Sequence, residues 1–491
     1  MKVLFTHPYF LALDPKQAKA ARPYPPLGTL YAAAAVRAAG HDVAFHDTFF
    51  APGASSLDAP LARARPDVVV IYDDGFNWLT KMCLSVMEAE ALAMVRSSRA
   101  AGATVVVSGS DASDHRRRYL EAGASFVLLG DGEPTLVELL AALESGADPS
   151  GIAGLARLDG QALVETGRRR SPSDLDTLPR PAWDLLDFAP YERTWRSRHG
   201  RFSLNLVSSR GCPYGCAWCA KPLFGRQYFV HSPGRVAADL EALSSHARFD
   251  HVWFGDDIFG LTAAWTGGLA DALEAAGRRV PFTIQTRADL VLDDALRANL
   301  VRAGLETAWL GAESGSQKVL DAMNKGLRVE ETREAVRALK AAGVRVGLFL
   351  QYGYLGETRE DVEKTLAMVL DLLPDEIGVS VSYPLPGTPF FEQVKAALGE
   401  KTNWVDSDDL DPMVPGAFSP AFYRRLHRYT HRLFQAHRGL ANARRVLARP
   451  ARATREQVRS AVATLVHLPA SVAEGLLYRR LARSERRTAG S

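Results

Sequence analysis

Cysteine is scarce in this 491-residue chain, with four in all and three of them at positions 212, 216 and 219. A disulfide-stapled extracellular scaffold is thereby excluded, and three thiols within eight residues are better suited to a metal than to a disulfide framework. Long apolar runs are missing as well. The best candidate, residues 461–478, is broken by His467 and Glu474, short of the roughly 18–20 residues a spanning helix needs, so no bilayer crossing is expected. The leading MKVLFTHPYF has one lysine, no sustained apolar region and no small-residue cleavage site. It is therefore expected to be a first strand rather than a signal peptide, and the protein to be cytoplasmic. Excess charge is small, with 59 Lys+Arg against 56 Asp+Glu. The imbalance is local. Residues 421–491 hold 16 arginines, no lysine and 3 acidic residues, so any basic function is confined to the C-terminal seventh. Low complexity is absent too. With 47% hydrophobic and 23% charged residues the composition is that of ordinary globular domains, and at about 150 residues per domain the length suggests three.

Residues 1–145 alternate short β-branched runs with helical stretches. KVLF (2–5), DVAF (42–45), DVVVIY (67–72), TVVVS (104–108) and FVLL (126–129) are continuous apolar runs, as expected for strands buried on both faces. Helical composition at 27–39, 79–101 and 134–143 fits between them, which predicts an α/β fold with a doubly wound parallel sheet. Ligands of such sheets lie beyond the carboxyl ends of the strands. There the sequence places Asp73-Asp74-Gly75, Ser108-Gly109-Ser110 and Gly130-Asp131-Gly132-Glu133, which either cradle a polar ligand or make tight turns. GDGEPT is not a dinucleotide fingerprint, because Thr135 stands where a glycine or alanine is wanted. Residues 146–200, rich in Pro, Arg and Asp, show no sustained period and read as a linker packed by its aromatics. A second series follows, with strands expected at 204–209, 251–255, 282–286, 307–312, 346–354 and 377–383 and helices between. Six βα units imply a partial parallel barrel over 201–392, its chemistry at the C-terminal ends of the strands. A helical, arginine-rich region occupies 393–491.

Directly after the first strand of that second series comes Ser209-Arg210-Gly211-Cys212-Pro213-Tyr214-Gly215-Cys216-Ala217-Trp218-Cys219. Three thiolates spaced CxxxCxxC on one loop suit three irons of a cubane, leaving the fourth open for a small molecule. Structural zinc calls for a fourth Cys or His, and the nearest histidine is His231. Cys83 sits among apolar neighbours in the first domain and is expected to be a buried helical residue.

With an aromatic, Trp218, before its third cysteine, this stretch resembles the hallmark CxxxCxΦC of the radical S-adenosylmethionine (SAM) enzymes. Further strand ends match in order: Gly255-Asp256-Asp257, Arg287, Gly311-Ala312-Glu313-Ser314-Gly315, Gly353-Tyr354-Leu355-Gly356-Glu357-Thr358, and Tyr383-Pro384-Leu385-Pro386-Gly387. The resemblance implies that Cys212, Cys216 and Cys219 hold a 4Fe–4S cluster. It also implies that Trp218, Gly255, Asp256, Asp257, Arg287, Glu313, Ser314 and Pro386 surround SAM. Bland readings stand beside these: Asp256 and Asp257 as helix caps, Arg287 as the partner of Asp289, Glu313 as a surface carboxylate.

Residues 1–145 are similar to the Rossmann-like cobalamin-binding domain that precedes the barrel in one subgroup. Carried over to this chain, the corrin contacts fall on Pro26, Leu27, Gly28, Asp73, Asp74, Ser108, Gly109, Ser110, Gly130, Gly132 and Glu133. The module's DxHxxG is absent, since neither His46 nor His115 lies in it, so no histidine is expected below the cobalt. Residues 73–83 are similar to the anaerobic magnesium-protoporphyrin monomethyl ester cyclase branch. The resemblance implies reductive SAM cleavage to a 5′-deoxyadenosyl radical, hydrogen abstraction from a small-molecule substrate, and C-methylation through methylcobalamin. Oxidative cyclisation or rearrangement is the alternative, and a non-catalytic cobalamin and cluster sensor a more distant one. It also implies a flavodoxin- or ferredoxin-type electron donor. The arginine-rich tail is expected to be an amphipathic helix packing on the barrel, with weak contact to a membrane surface as the sharper option and nucleic acid not expected.

Overall fold

The computed structural model describes residues 1–76, 84–219, 225–399, 401, 403–414 and 418–488. Cys83 and the rest of 77–83 lie outside the described residues. The first sheet contains β1 (Lys2–Thr6), β2 (Asp42–His46), β3 (Val68–Tyr72), β4 (Thr104–Ser108) and β5 (Phe126–Leu128), all parallel, extended by β6 (Leu155–Asp159) and β7 (Ala162–Glu165). Its order is β2-β1-β3-β4-β5-β6-β7. The apolar runs are strands because helices cover both faces. Ala32, Val36, Leu136 and Leu140, from helices Leu27–Ala38 and Gly132–Ser145, pack on one side, while Ala91, Met94 and Val95, from Ser85–Ala100, pack on the other. The chain order reverses between β1 and β3, the kind of switch point at which α/β sheets open a crevice.

The segment 146–200 differs from a plain linker. Gly160, at φ +60°, opens a two-residue turn that folds β6 back against β7, and the hairpin adds antiparallel to β5. The strands are short and half-exposed, so their alternation is too brief to read as a period. The expected aromatic packing is present in helix Ala189–His199, where the Trp195 Nε1 donates to the Pro23 carbonyl (2.7 Å) and Tyr191 OH to Asp47 (2.9 Å).

The second sheet has six parallel strands, β8 (Ser203–Leu206), β11 (His251–Phe254), β12 (Phe282–Thr286), β13 (Leu305–Glu313), β14 (Arg345–Tyr352) and β15 (Glu376–Val381), side by side in chain order. Between β8 and β11 lies a two-stranded antiparallel ribbon, β9 (Ser209–Arg210) with β10 (Phe229–Val230). One cluster of buried side chains runs from Ile71 and Met94 through Leu204 and Phe254 to Leu348, so both sheets share a core.

Helices Pro420–Ala448 and Arg455–Thr488 form an antiparallel hairpin. Over Arg455–Ala482 the second helix is long and apolar enough to cross a membrane, and only 17% of that window is buried. This corrects the expectation that His467 and Glu474 interrupt the run. Both face the first helix, where Arg432 donates to the His467 ring (3.0 Å) and Arg425 to Glu474 (2.6 Å), so the outer face stays apolar.

Candidate functional site

The cysteine loop is held at both ends. Its stem is the β9/β10 ribbon, and Gly211, at φ +80°, is required because a Cβ there would collide with the Gln227 carbonyl. Ala217 donates to the Met323 carbonyl (2.8 Å) and accepts from Phe390 N (3.0 Å), while Asn324 Nδ2 donates to the Gly215 carbonyl (3.0 Å). Trp218 packs against the cluster of Val319, Met323, Tyr354 and Phe390. Cys212, Cys216 and Cys219 are half-exposed and in no disulfide. Among the described residues, the ligand atoms that converge within 4.8 Å as around one ion belong to Glu88, Asp111 and His115.

Two cations face this loop. Arg287 stacks over the Tyr214 ring at 3.9 Å, pairs with Asp289 and donates to the carbonyls of Lys325 (2.8 Å) and Gly326 (2.9 Å). Lys325, which sequence reasoning missed, is buried and bonds Glu313 at 2.9 Å. Burial works against its charge, yet Glu313 and the Cys216 sulfur together hold its pKa above the usual lysine value. Nothing in the sequence links Lys325 to Glu313, since a whole helix, Gln317–Ala322, separates them. Glu313 itself is buried and sits at φ +58°, where the β13/β14 register shifts. It is thus no surface carboxylate.

Asp256 also differs from a helix cap. It accepts from Ser208 N (3.0 Å), Ser208 Oγ (2.8 Å) and Ser209 Oγ, tying the end of β11 to the cysteine stem. Burial raises its pKa to about 6 against those hydrogen bonds. Gly255 lies under the first domain, where a Cβ would stand 3.2 Å from the Phe76 carbonyl. Ser314 bonds Thr365, Asp257 is half-buried, and Pro386 is half-buried beyond β15.

The first-domain residues gather at the carboxyl ends of β3, β4 and β5. Asp74 accepts from Gly28 N (2.9 Å) and Phe76 N (3.1 Å), joining the Pro26-Leu27-Gly28 helix start to the end of β3. Asp73 N donates to the Ser108 carbonyl (2.9 Å), and Gly109 approaches Asp73 so closely that a Cβ would lie 2.6 Å from the aspartate's own. Gly132 is needed beneath Tyr72 and Gly130, at φ +90°, beside Arg169, so the protein's own packing accounts for these glycines. Beneath the strand ends is a cavity lined by Tyr9, Asp73, Met87, Val107, Gly109 and Tyr119. Among the described residues the Oγ atoms of Ser110 and Ser113 are buried with no hydrogen-bond partner, as a site for a polar ligand provides. Among the described residues no histidine lines this cavity; His7 bonds Asp47 (2.8 Å), His46 reaches Ser56 (3.4 Å), and His115 bonds Asp111 (2.8 Å), which is part of the lining.

The two halves meet at Arg210. Fully buried, it donates to Asp131 (2.8 and 2.9 Å) and Glu133 (2.8 and 3.1 Å). Burial pushes Glu133 up to about 8, whereas for Asp131 the Arg210 charge overcomes burial and keeps its pKa below the usual value. The two carboxyls are thus pushed in opposite directions around one buried guanidinium. Arg210 stands two residues before Cys212, so the ends of the first sheet face the cysteine loop.

Comparison with known proteins agrees with this geometry. Residues 206–369 match the Radical SAM superfamily and residues 17–140 the B12 binding domain. The hopanoid C-3 methylase of Methylococcus capsulatus is 27% identical over 462 residues, 91% of this chain and 83% of that protein. The anaerobic magnesium-protoporphyrin IX monomethyl ester cyclase of Cereibacter sphaeroides is 28% identical over 405 residues, 80% of this chain and 64% of that protein. The cobalamin-dependent SAM radical enzyme OxsB, solved with aqua-cobalamin and SAM bound, superposes with a TM-score of 0.72 at 16% identity, covering 97% of this chain and 72% of that one. The chain belongs to the cobalamin-binding radical SAM enzymes, a B12-binding domain followed by a radical SAM domain whose cofactors are a 4Fe–4S cluster, SAM and cobalamin.

Proposed function

We propose that the protein methylates an unactivated carbon of a small-molecule substrate. When bound, the cluster, SAM and cobalamin supply a 5′-deoxyadenosyl radical and a transferable methyl group. The observation that carries this reading is the buried Arg210–Asp131–Glu133 junction, which turns the ligand end of the B12-binding sheet toward the cysteine loop, so that one substrate reaches both cofactors. In this reading Cys212, Cys216 and Cys219 ligate the cluster. Trp218, Gly255, Asp256, Asp257, Arg287, Glu313, Ser314 and Pro386 shape the SAM pocket, although Asp256 and Arg287 act by bracing the cysteine loop rather than by direct contact. Lys325 adds a buried positive charge suited to the SAM carboxylate. The corrin rests on Pro26–Gly28, Asp73, Asp74, Ser108–Ser110, Gly130, Gly132 and Glu133. The division into residues 1–145, 146–200, 201–392 and 393–491, a flavodoxin- or ferredoxin-type donor, and action in the cytoplasm belong to the same proposal.

Oxidative cyclisation is the second reading, favoured by the 28% identity to the C. sphaeroides cyclase. The test is mass spectrometry of anaerobic reactions containing reconstituted protein, SAM, cobalamin, a reductant and candidate substrates. 5′-Deoxyadenosine together with S-adenosylhomocysteine supports methyl transfer. 5′-Deoxyadenosine alone, with a substrate lighter by hydrogens, supports the second reading and overturns the first.

A further inference from the structure

The terminal helix Arg455–Thr488 has two unlike faces. The inner face packs on helix Pro420–Ala448 through Thr464, Ser471, Gly475 and Tyr478. The fit is close: a Cβ on Gly439 would collide with Thr464, and one on Gly475 would lie 2.9 Å from the Tyr429 ring. Two of the region's three acidic residues are used here, Glu456 with Arg438 and Glu474 with Arg425 and Arg428. The outer face presents Val458, Val462, Leu465, Val466, Val472 and Leu476 at helical spacing, with Leu465 79% and Val466 64% exposed. Apolar residues in one continuous exposed stripe of this kind mark an interaction surface.

The ends of the stripe are cationic. Arg455 and Arg459 at one end, and Arg479 and Arg480 at the other, are exposed, and none is ion-paired with a carboxylate among the described residues. At 1.5 Å per residue the two groups are roughly 30 Å apart. Between them the outer face has no charge. We propose that this face docks in the plane of an anionic phospholipid bilayer, with the valines and leucines at the headgroup–acyl boundary and the four arginines on lipid phosphates. Charge argues against a second copy on the same face. Whether two stripes align parallel or antiparallel, arginine-bearing ends are brought against each other. A spanning orientation is disfavoured by the inner face, which would have to leave Arg425 and Arg432.

The test is co-sedimentation of the full-length protein with vesicles of phosphatidylcholine alone and of phosphatidylcholine with phosphatidylglycerol. Binding is expected to the anionic vesicles only, reversed by high salt and by alkaline carbonate washing. R479Q/R480Q should weaken it roughly fivefold per arginine, and L465E/V472E should abolish it, while cluster content and uncoupled SAM cleavage stay at the parent level. The arginine pair keeps the test valid if the apolar variants fail to fold. Equal binding to both vesicle types, resistance to carbonate, or an apolar-face-dependent dimer with no vesicle binding would each overturn the proposal.

Discussion

The cysteines are the residues on which everything else depends, and the ligand count makes a sharp expectation. Cys212→Ala, Cys216→Ala and Cys219→Ala should each remove the four-iron cluster on anaerobic reconstitution, while Cys83→Ala should keep it, as read by iron content and visible absorbance. A second residue-scale prediction concerns Glu357, just after β14. It is buried, one oxygen accepts from Gly353 N (2.6 Å), and the other has no partner among the described residues. Burial raises its pKa to about 8. The folded state then binds a proton that the unfolded chain has released above its ordinary value near 4.5. Stability from this group is complete at acid pH and declines as pH rises toward 8. Glu357→Gln should flatten that decline in denaturant titrations across pH 5–9, and an unchanged slope would show that the carboxyl ionises without cost.

Among the elements, the β9/β10 ribbon is what fixes the cysteine loop, and its Arg210 links it to the first domain. Removing one member of a buried ionic group leaves charge without compensation, so Arg210→Ala should cost about 3–5 kcal/mol of stability in a denaturant melt. Arg210→Met combined with Asp131→Asn should recover part of it, because the uncompensated carboxylate goes as well. The motif around the cysteines was legible, since CxxxCxxC is a local spacing. The bracing was not: Asp256 and the serines it binds are 47 and 48 residues apart, and Lys325 meets Glu313 only because the chain turns back after a helix. The hairpin of β6 and β7 was missed for a related reason, since two short half-exposed strands depend on the edge of β5 to become strands at all.

At the scale of the molecule the question is what coordinates cobalt between the two sheets. The sequence has no DxHxxG, and among the described residues no histidine lines the cavity beneath the strand ends, so no protein imidazole is expected below the corrin. Paramagnetic resonance of the cob(II)alamin form should therefore lack nitrogen superhyperfine splitting from a lower ligand, and His46→Ala or His115→Ala should leave that spectrum and cobalamin affinity nearly unchanged. A splitting lost in either variant would assign that histidine to the metal.

The sequence by itself determined the α/β class, the two successive parallel sheets, the three cysteines and the order of the strand-end motifs, because apolar periodicity and loop spacing are properties of neighbouring residues. Only the tertiary structure decided that Arg210 closes one sheet onto the other, that Lys325 stands beside the cysteine loop, and that His467 and Glu474 leave the outer face of the last helix apolar. Each of these depends on which side chains meet across hundreds of ångström-scale choices of packing and burial, and burial sets both the charge a group carries and the partner it needs.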